Sequence, residues 1–567
     1  MALGRLAWVV LFAIGLSAQP QQTATTPQGY RIVGVVVNSL NGQPVTGASV
    51  AIARTTPQGT NREVSQTVTT GADGRFAFTG LARSKYSLMA TARGFAMQFF
   101  EHHDAYATAI AVGPDLDSEH LVFRLDPDAS IEGQVTDDHN DPIQNATVQL
   151  FGRRIQDGQQ KTFLMNEAQT DDQGQFRLGH LRPGTYYLAV SARPWYAQNS
   201  RFAPNRSATG PDENARAAQE AAALDVTYPL TFYPDSPDSA GAAPIVLQPG
   251  ERATADVVMR AVPAAHLRIR TGSAGSASGT TVSNRRFLGP ISPRVSQRIF
   301  DGYLASVFNA PVFSPSEPGL VEIGGLAPGH YVLEMSASGG PNDKSGTRSW
   351  YQEIDLAGDA EINASDAPAF ASVTAAVFFQ GETTAPKGSF LRLSNPTTDE
   401  SFRGAISDKG MVDFNGEGIR PGRYTVLLEN THGFFLSKLS ATGARMIGRT
   451  VEISGASSVH IVCAATRGVG QVDGVALRDG LPFAGAMIVL VPHDSANNLP
   501  LFRRDQSDSD GTFTLPNVVP GQYTVLAIAN GWDLEWGNPA ALQPYLKGGE
   551  MVQVTGEGKL QIKAQVQ

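Results

Sequence analysis

The sequence predicts an all-β protein built as a tandem array of about five sandwich-shaped modules. The chain has 567 residues, which is too many for one hydrophobic core, because single domains run to roughly 100–200 residues. Its 58 glycines and 35 prolines follow no strict period, as is typical of many short strands joined by turns. The segment "SDSDGTFTLPNVVPGQYTVLAIANG" at 507–531 recurs in altered form. The spacing, about one hundred residues, fits a whole β-sandwich and exceeds a solenoid repeat.

Three copies of this repeat can be aligned over their full length. They begin with "GQPVTGASV", "NDPIQNATV" and "GLPFAGAMI", continue with a Gly-x-Phe turn, and place a tyrosine ten residues after that phenylalanine. Two degenerate copies keep only a Pro-Gly-x-Tyr segment. The residues that define the repeat are Asp73, Gly74, Phe76, Tyr86, Gly174, Phe176, Gly184, Tyr186, Gly329, Tyr331, Gly422, Tyr424, Asp510, Gly511, Phe513, Gly521 and Tyr523.

Each of these repeat residues has a structural explanation. The Asp-Gly pair predicts a hairpin turn in which glycine takes the left-handed backbone conformation. The Pro-Gly pair predicts a type II turn, again with a left-handed glycine. The phenylalanine belongs to an alternating, half-buried strand. We expect the tyrosine to place its ring in the core while its hydroxyl reaches a turn. The repeat therefore predicts a fold and requires no reactive group.

The residues before the first repeat predict export. The segment "MALGRLAWVVLFAIGLSAQP" combines one arginine, an apolar run from Leu6 to Leu16 and small residues, which is a signal-peptide pattern too short to span a bilayer. Cleavage after Ala18 is expected, with a retained anchor as the alternative, and the mature chain is expected to have no membrane span. The predicted bounds are 1–18 for the signal peptide, 29–127, 128–262 and 467–567 for complete modules, and 263–365 and 366–466 for degenerate ones.

The pattern G-x-P-V-x-G-A-x-V, then D-G-x-F-x-F, then P-G-x-Y-x-L resembles the carboxypeptidase regulatory-like domain. The resemblance covers the three complete modules, and it reaches 263–466 only through the Pro-Gly-x-Tyr segments. It implies transthyretin-like (prealbumin-like) or Ig-like β-sandwiches with a carbohydrate-binding-like fold, in a multi-copy exported bacterial protein. Because such modules are usually accessories, it says little about function.

The sequence lacks the common catalytic motifs. None of the ten histidines is followed by glutamate three residues on, so the zinc carboxypeptidase pattern is missing. The G-x-S-x-G nucleophile and the phosphate-binding glycine loops are missing as well. The only cysteine, Cys463 in "VHIVCAA", is expected to be a buried thiol. We therefore expect no enzyme, no catalytic residue and no cofactor, with a hydrolase that uses paired carboxylates as a weak alternative.

The best metal-like cluster is "FFEHHDAY", which contains Glu101, His102, His103 and Asp104. Successive side chains on a strand point to opposite faces, so the two histidines would diverge there. We interpret the segment as a solvated loop and expect no metal.

Aromatic residues after two of the repeats are the candidate carbohydrate-binding residues. Trp532 and Trp536 in "GWDLEWGNP", with Tyr545 beyond, follow the last repeat, and Trp195 with Tyr196 hold the matching place in the second module. Exposed rings of this kind stack on sugars, whereas buried ones cover the open end of a core. The sequence leaves both interpretations open.

The function that follows is a non-enzymatic binding or scaffold protein of the cell envelope, arranged as an elongated rod. The expected location is periplasmic, outer-surface or extracellular, and the expected ligand is a polysaccharide. The alternative is a structural stalk that pairs with an envelope protein through edge strands and binds no glycan. With a net charge of −9 and no run of more than two basic residues, nucleic acid is not an expected partner.

Overall fold

The chain is an all-β protein made of tandem β-sandwich modules, as the sequence predicts. A computed structural model describes residues 29–55, 64–103, 105–197, 222–270, 291–300, 302–307, 312–313, 317, 319–337, 348–364, 370–398, 400–414, 418–431, 433–455 and 457–567. The predicted signal peptide lies outside these residues, and so does Asp104. The 46 strands of the described residues fall into five groups, which we number modules 1 to 5. The bounds predicted from the sequence for each module stay a prediction.

Modules 1 and 2 contain the first 21 strands. Those of module 1 are β1 (Tyr30–Asn38), β2 (Ser49–Arg54), β3 (Val64–Thr69), β4 (Arg75–Leu81), β5 (Ser84–Ala92), β6 (Phe95–Phe99), β7 (His102–His103), β8 (Tyr106–Ala107), β9 (Ile110–Val112) and β10 (Leu121–Leu125). Those of module 2 are β11 (Ala129–Asp137), β12 (Thr147–Gln156), β13 (Gln159–Gln169), β14 (Gln175–Leu181), β15 (Gly184–Ser191), β16 (Val226–Thr227), β17 (Thr231–Phe232), β18 (Ile245–Leu247), β19 (Arg252–Thr254), β20 (Val257–Met259) and β21 (Val262–Pro263), with a 3-10 helix at Ser239–Gly241.

Modules 3 and 4 follow. Module 3 has β22 (Ala265–Arg270), β23 (Ile291–Ile299), β24 (Tyr303–Ser306), β25 (Val312–Phe313), β26 (Leu320–Leu326), β27 (Gly329–Ala337), β28 (Arg348–Leu356) and β29 (Ala360–Asn363). Module 4 has β30 (Ser372–Phe379), β31 (Phe390–Ser394), β32 (Ser401–Ile406), β33 (Met411–Asp413), β34 (Gly422–Glu429), β35 (Phe434–Thr442), β36 (Arg445–Ile447), β37 (Thr450–Ile453) and β38 (Ser458–Arg467).

Module 5 closes the chain with eight strands and short helices. The strands are β39 (Gly470–Arg478), β40 (Leu481–Pro482), β41 (Met487–Pro492), β42 (Arg503–Gln506), β43 (Thr512–Val518), β44 (Gly521–Ile528), β45 (Glu550–Val554) and β46 (Lys559–Gln565). The helices are the 3-10 turns Ser495–Asn497, Leu499–Leu501 and Leu546–Gly548 and the single α-helical turn Pro539–Leu542.

All five modules share one strand topology. In module 1, β1 pairs antiparallel with β4 and parallel with β10, and in the second sheet β2 lies between β3 and β5. The same pairings join β11 to β14 and β19, β22 to β26 and β29, β30 to β33 and β38, and β39 to β43 and β46. In module 4 the strands join into one nine-stranded sheet around a single core. The two degenerate modules therefore keep the topology although they lose most of the sequence repeat.

The Asp-Gly turns do not form hairpins, and that prediction is wrong. The strands on either side of Gly74, β3 and β4, lie in different sheets, so the turn carries the chain across the sandwich. Gly74 has φ 69° and Gly511 has φ 75°, which agrees with the predicted left-handed conformation. A Cβ added at Gly74 would lie 2.6 Å from the carbonyl oxygen of Val36. Glycine is needed here for conformation and for space.

The Pro-Gly segments are also connections between the two sheets. The glycines begin the following strand, as Gly329, Gly422 and Gly521 do, and none of these three has a positive φ. The predicted left-handed glycine is therefore wrong for this segment. A Cβ at Gly521 would lie 3.3 Å from Cε2 of Tyr523. The glycine leaves room for the tyrosine ring two residues later.

The five repeat tyrosines are buried in the cores of their modules. In four modules the hydroxyl donates to the carbonyl oxygen four residues earlier, over 3.1 Å for Tyr86, 2.8 Å for Tyr186, 2.6 Å for Tyr331 and 2.7 Å for Tyr523. In module 4 the Tyr424 hydroxyl instead donates to Glu400. Burial raises the pKa of Tyr331 to about 12, so the hydroxyl remains a donor. These tyrosines act in the fold.

The modules do not form the elongated rod expected from the sequence. Consecutive modules contact one another, and module 5 also returns to modules 1 and 2. The contacts between modules include Arg182 with the Met97 carbonyl, His266 with Asp225, Arg420 with Glu334, Gly448 with Asn497, Lys85 with Asp508, and Gly537 with the Gly158 carbonyl. The reason is an apolar outer face on module 5, formed by residues such as Met487, Phe502 and Leu526, against which Tyr106 of module 1 packs.

Candidate functional sites at two junctions of module 5

Trp532, the first predicted sugar-binding residue, lies between modules 5 and 1. Its side chain is 9% exposed, and the His103 ring of module 1 stacks on it with centroids 4.6 Å apart and planes 5° apart. Tyr106 adds a second ring at 6.0 Å. The indole Nε1 donates to the carbonyl oxygen of Gly485 over 3.3 Å. Module 1 covers the face of the indole that a sugar would need.

Trp536 and Tyr545 belong to the same apolar cluster and are half-buried. The Arg504 guanidinium lies beside this cluster, 4.7 Å from the centroid of Tyr106, 5.5 Å from that of Trp532 and 5.3 Å from that of Trp536. These distances are those of cation–π contacts. The aromatic loop of module 5 therefore surrounds an arginine of the same module.

Trp195 and Tyr196, the predicted site residues of module 2, lie elsewhere. Trp195 is 94% exposed, and its ring meets that of Tyr196 edge-on at 5.7 Å. The structure thus separates the five predicted residues into a buried or half-buried group on module 5 and, on module 2, the exposed Trp195 beside the half-buried Tyr196. Sugar binding by any of them stays a prediction.

Polar residues seal the same junction around Gln506, which is 1% exposed on β42. Its amide nitrogen donates to the carbonyl oxygen of Glu101 over 2.6 Å and to Thr108 Oγ1 over 2.8 Å. Its amide oxygen lies 3.2 Å from Nδ1 of His103. A module 5 side chain is thus satisfied by module 1 groups, as buried polar groups require.

A charged cluster lies next to this glutamine. Lys85 of module 1 contacts Asp508 and donates to Thr512 Oγ1 over 2.6 Å. Asp508 Oδ1 accepts from the Ala109 amide over 2.9 Å. Burial raises the pKa of Asp508, and it raises the pKa of the neighbouring Asp505 to about 7. The lysine offsets part of the cost of burying these carboxyl groups.

The two adjacent histidines are not a solvated loop, and that interpretation is wrong. They form the short strand β7 and are half-buried, because each faces a different neighbouring module. His103 stacks on module 5, whereas His102 Nε2 lies 3.0 Å from the Arg182 guanidinium of module 2. Burial, followed by the charge of Arg182, lowers the pKa of His102. The divergence predicted from strand geometry places the histidines in two junctions.

One group of described side chains brings three possible metal ligands together elsewhere, namely Asp137, Asp138 and His139 in module 2, with ligand atoms within 4.8 Å of one another. Asp138 and His139 are exposed, and exposed acidic groups often lie this close without an ion.

A second junction, between modules 4 and 5, contains an open cleft of about 870 Å³. Three basic residues line it, namely Lys387 and Arg449 from module 4 and Arg503 from module 5. Of the described residues that line it, none is acidic. Sequence reasoning missed this cleft because its two arginines lie far apart in the sequence and belong to different modules.

Two segments of the chain match a known protein family. Residues 31–112 and 130–214 match the family model of the carboxypeptidase regulatory-like domain. No curated protein matches the sequence. In the described residues no helix is long and apolar enough to cross a bilayer.

Three solved structures align with this chain at low sequence identity and low TM-score. The Bacillus anthracis TIE protein aligns with 96% of this chain and 76% of its own at 13% identity and a TM-score of 0.17. A minor pilin of Streptococcus agalactiae aligns with 41% and 97% at 14% identity and a TM-score of 0.20. The shaft pilin SpaA of Lactobacillus rhamnosus GG aligns with 41% and 97% at 11% identity and a TM-score of 0.18. Likenesses this weak say nothing about what the chain binds.

Proposed function

We propose that this chain, two of whose modules are carboxypeptidase regulatory-like domains, is an exported, non-catalytic scaffold of the cell envelope. The observation that carries the proposal is the burial of the module 5 aromatic loop beneath module 1. There the aromatic, histidine and carboxylate groups that resemble a reactive or sugar-binding site hold two modules together. Such a chain fixes the relative positions of its modules, which is what a scaffold requires.

Solution scattering tests the closed arrangement. A compact chain of this length has a radius of gyration of about 25 Å, whereas five modules of about 100 residues in a line would give about 50 Å. We expect a value of roughly 25–35 Å for the full chain. A value near 50 Å would show that module 5 does not return to module 1, and the scaffold proposal in this form would fail.

A second candidate function, polysaccharide binding, is favoured by the exposure of Trp195. An open indole edge-packed on Tyr196 is the kind of surface on which a sugar ring stacks. Calorimetric titration of the full chain with soluble, uncharged polysaccharides tests it. We expect Trp195→Ala to abolish the binding heat without changing the melting temperature. No heat from any glycan, or binding that survives in this variant, would reject Trp195 as a sugar site and leave the scaffold proposal standing.

A further inference from the structure

The cleft between modules 4 and 5 has the size of a ligand site. Its volume of about 870 Å³ lies in the range of roughly 300–1,000 Å³ that is usual for sites of small-molecule ligands. Module 4 contributes the segment before β31, the end of β34, the start of β35 and the residue before β37. Module 5 contributes the start of β42 with residues just before it, and the end of β43 with the residue after it. The cleft is therefore built by elements of two modules that are held in place by their own sheets.

The charge of the cleft is unbalanced. Arg449 and Arg503 have no carboxylate within ion-pair distance among the described residues, whereas Arg420, at the junction of modules 3 and 4, contacts both Glu334 and Glu400. Burial lowers the pKa of both cleft arginines, and the charge of Arg449 further lowers that of Arg503. Partly desolvated guanidinium groups that line one cleft are costly without an anion.

The two arginines differ in how many donors they already use. Arg503 donates to the carbonyl oxygens of Pro500, Phe502 and Asn517 over 2.7–3.2 Å, which fixes its position. Arg449 donates from one nitrogen to the Leu436 carbonyl over 2.8 Å. Of the two guanidinium groups, that of Arg449 has more N–H donors left for a ligand, and its planar fork fits two oxygens of one anionic group.

The rest of the lining suits a ligand larger than a simple ion. Half-buried apolar residues, Phe435, Leu501 and Val519, form part of the wall. Asn430 and Asn517 are exposed at the same cleft and offer amide groups. An anionic group held by the arginines would therefore be accompanied by a body with apolar and polar contacts.

We propose that the cleft between modules 4 and 5 binds a carboxylate- or phosphate-bearing ligand through Arg449, with Arg503 and Lys387 supplying the surrounding positive charge. Neither the scaffold function nor the exposed Trp195 on module 2 assigns this site. The proposal depends on neither, because the cleft lies in different modules from Trp195.

The test is calorimetric titration of the full chain with three probes: trigalacturonate, the uncharged maltotriose of equal length, and inorganic phosphate. We expect an anion to bind, with affinity falling as salt rises, and maltotriose not to bind. Arg449→Gln should weaken anion binding about tenfold or more, as expected when a charge-assisted hydrogen bond is lost. Arg445→Gln, an exposed arginine on β36 that does not line the cleft, is the matched control and should bind as the parent does.

The outcomes distinguish a carboxylate ligand from a phosphate ligand, and binding at the cleft from binding at Trp195. Binding of trigalacturonate alone supports a carboxylated ligand, and equal or tighter binding of phosphate supports a phosphate-bearing one. Binding that persists in Trp195→Ala shows that the cleft is independent of the module 2 pair. No binding of either anion, equal binding of maltotriose in the Trp195→Ala protein, or unchanged anion binding in a folded Arg449→Gln protein would overturn the proposal.

Discussion

One strand of module 5, β42, supplies neighbouring arginines to two different junctions. Successive side chains of a strand point to opposite faces, so Arg503 lines the cleft with module 4 while Arg504 faces the aromatic cluster covered by module 1. At one junction aromatic rings and a lysine–aspartate pair fill the space. At the other an open volume remains. An arginine of β42 therefore serves the fold or remains available to a ligand, depending on which groups of the neighbouring module cover it.

The two junctions also differ in whether they contribute to stability or to ligand binding. The module 1 junction buries apolar surface and satisfies the buried amide of Gln506 within the chain. The cleft with module 4 leaves positive charge facing an open volume. We therefore expect substitutions at the first junction to change stability, and substitutions at the cleft to change binding.

The largest expected effect is that of Trp532→Ala. The substitution removes a side chain that is 9% exposed and stacked on His103, so it should reduce the free energy of unfolding by about 3–5 kcal/mol. Urea denaturation of the full chain measures the change. Trp195→Ala, at a position 94% exposed, is the control and should shift stability by less than about 0.5 kcal/mol. Equal effects from the two variants would remove the distinction between covered and open aromatics.

Lys85→Met should have an intermediate effect. It leaves the Asp508 carboxylate without its cation, and because the two side chains are 32% and 15% exposed the loss should be about 1–2 kcal/mol, less than for a fully buried pair. Lys387→Met, at the rim of the cleft, should leave thermal stability within about 0.5 kcal/mol. A larger loss of stability in Lys387→Met than in Lys85→Met would contradict the roles assigned to the two junctions.

The smallest expected effect is the change in the stability of the folded chain with pH. The pKa of Asp505 is raised to about 7 and that of Asp508 is raised too, so the folded chain binds more protons than the unfolded chain between pH 4 and 7. Stability from these groups is therefore greatest at low pH and is lost as pH rises through 7. Because two backbone amides also hold the Asp505 carboxylate, we expect a loss on the order of 1 kcal/mol between pH 5 and 8.

Melting temperatures at pH 5, 6, 7 and 8 measure this dependence, and Asp505→Asn should flatten it. Trigalacturonate binding at the cleft should not change over the same range, because arginine does not titrate there. A melting temperature that rises steadily toward pH 8 would contradict the raised carboxyl pKa values.

Local patterns were sufficient to predict the fold class. The alternation around Phe76 and Phe513 and the glycine at φ 69° at position 74 are properties of a few adjacent residues. The same patterns do not say whether a turn joins two strands of one sheet or crosses between sheets, since both need the same turn residues. The hairpin prediction failed for that reason.

The contacts between modules could not be predicted from the sequence. The partners of Gln506 lie about four hundred residues away, and neither side carries a local signal of the other. The loop containing Trp532 was compatible with an exposed or a covered ring, and only the packing of module 1 decides between them. The cleft with module 4 depends likewise on how Arg449 and Arg503 meet across two modules.

The return of module 5 to module 1 has a mechanical consequence. Tyr30 begins the first described strand and Gln565 ends the last, so a pull applied to the two ends of the array would act on the contact between the outermost modules before it reached the inner ones. Stacked rings, an ion pair and a few hydrogen bonds would separate first, and the chain would lengthen while every sandwich stayed folded. Under tension the closed array would therefore gain length from the separation of modules 1 and 5 before any module unfolded.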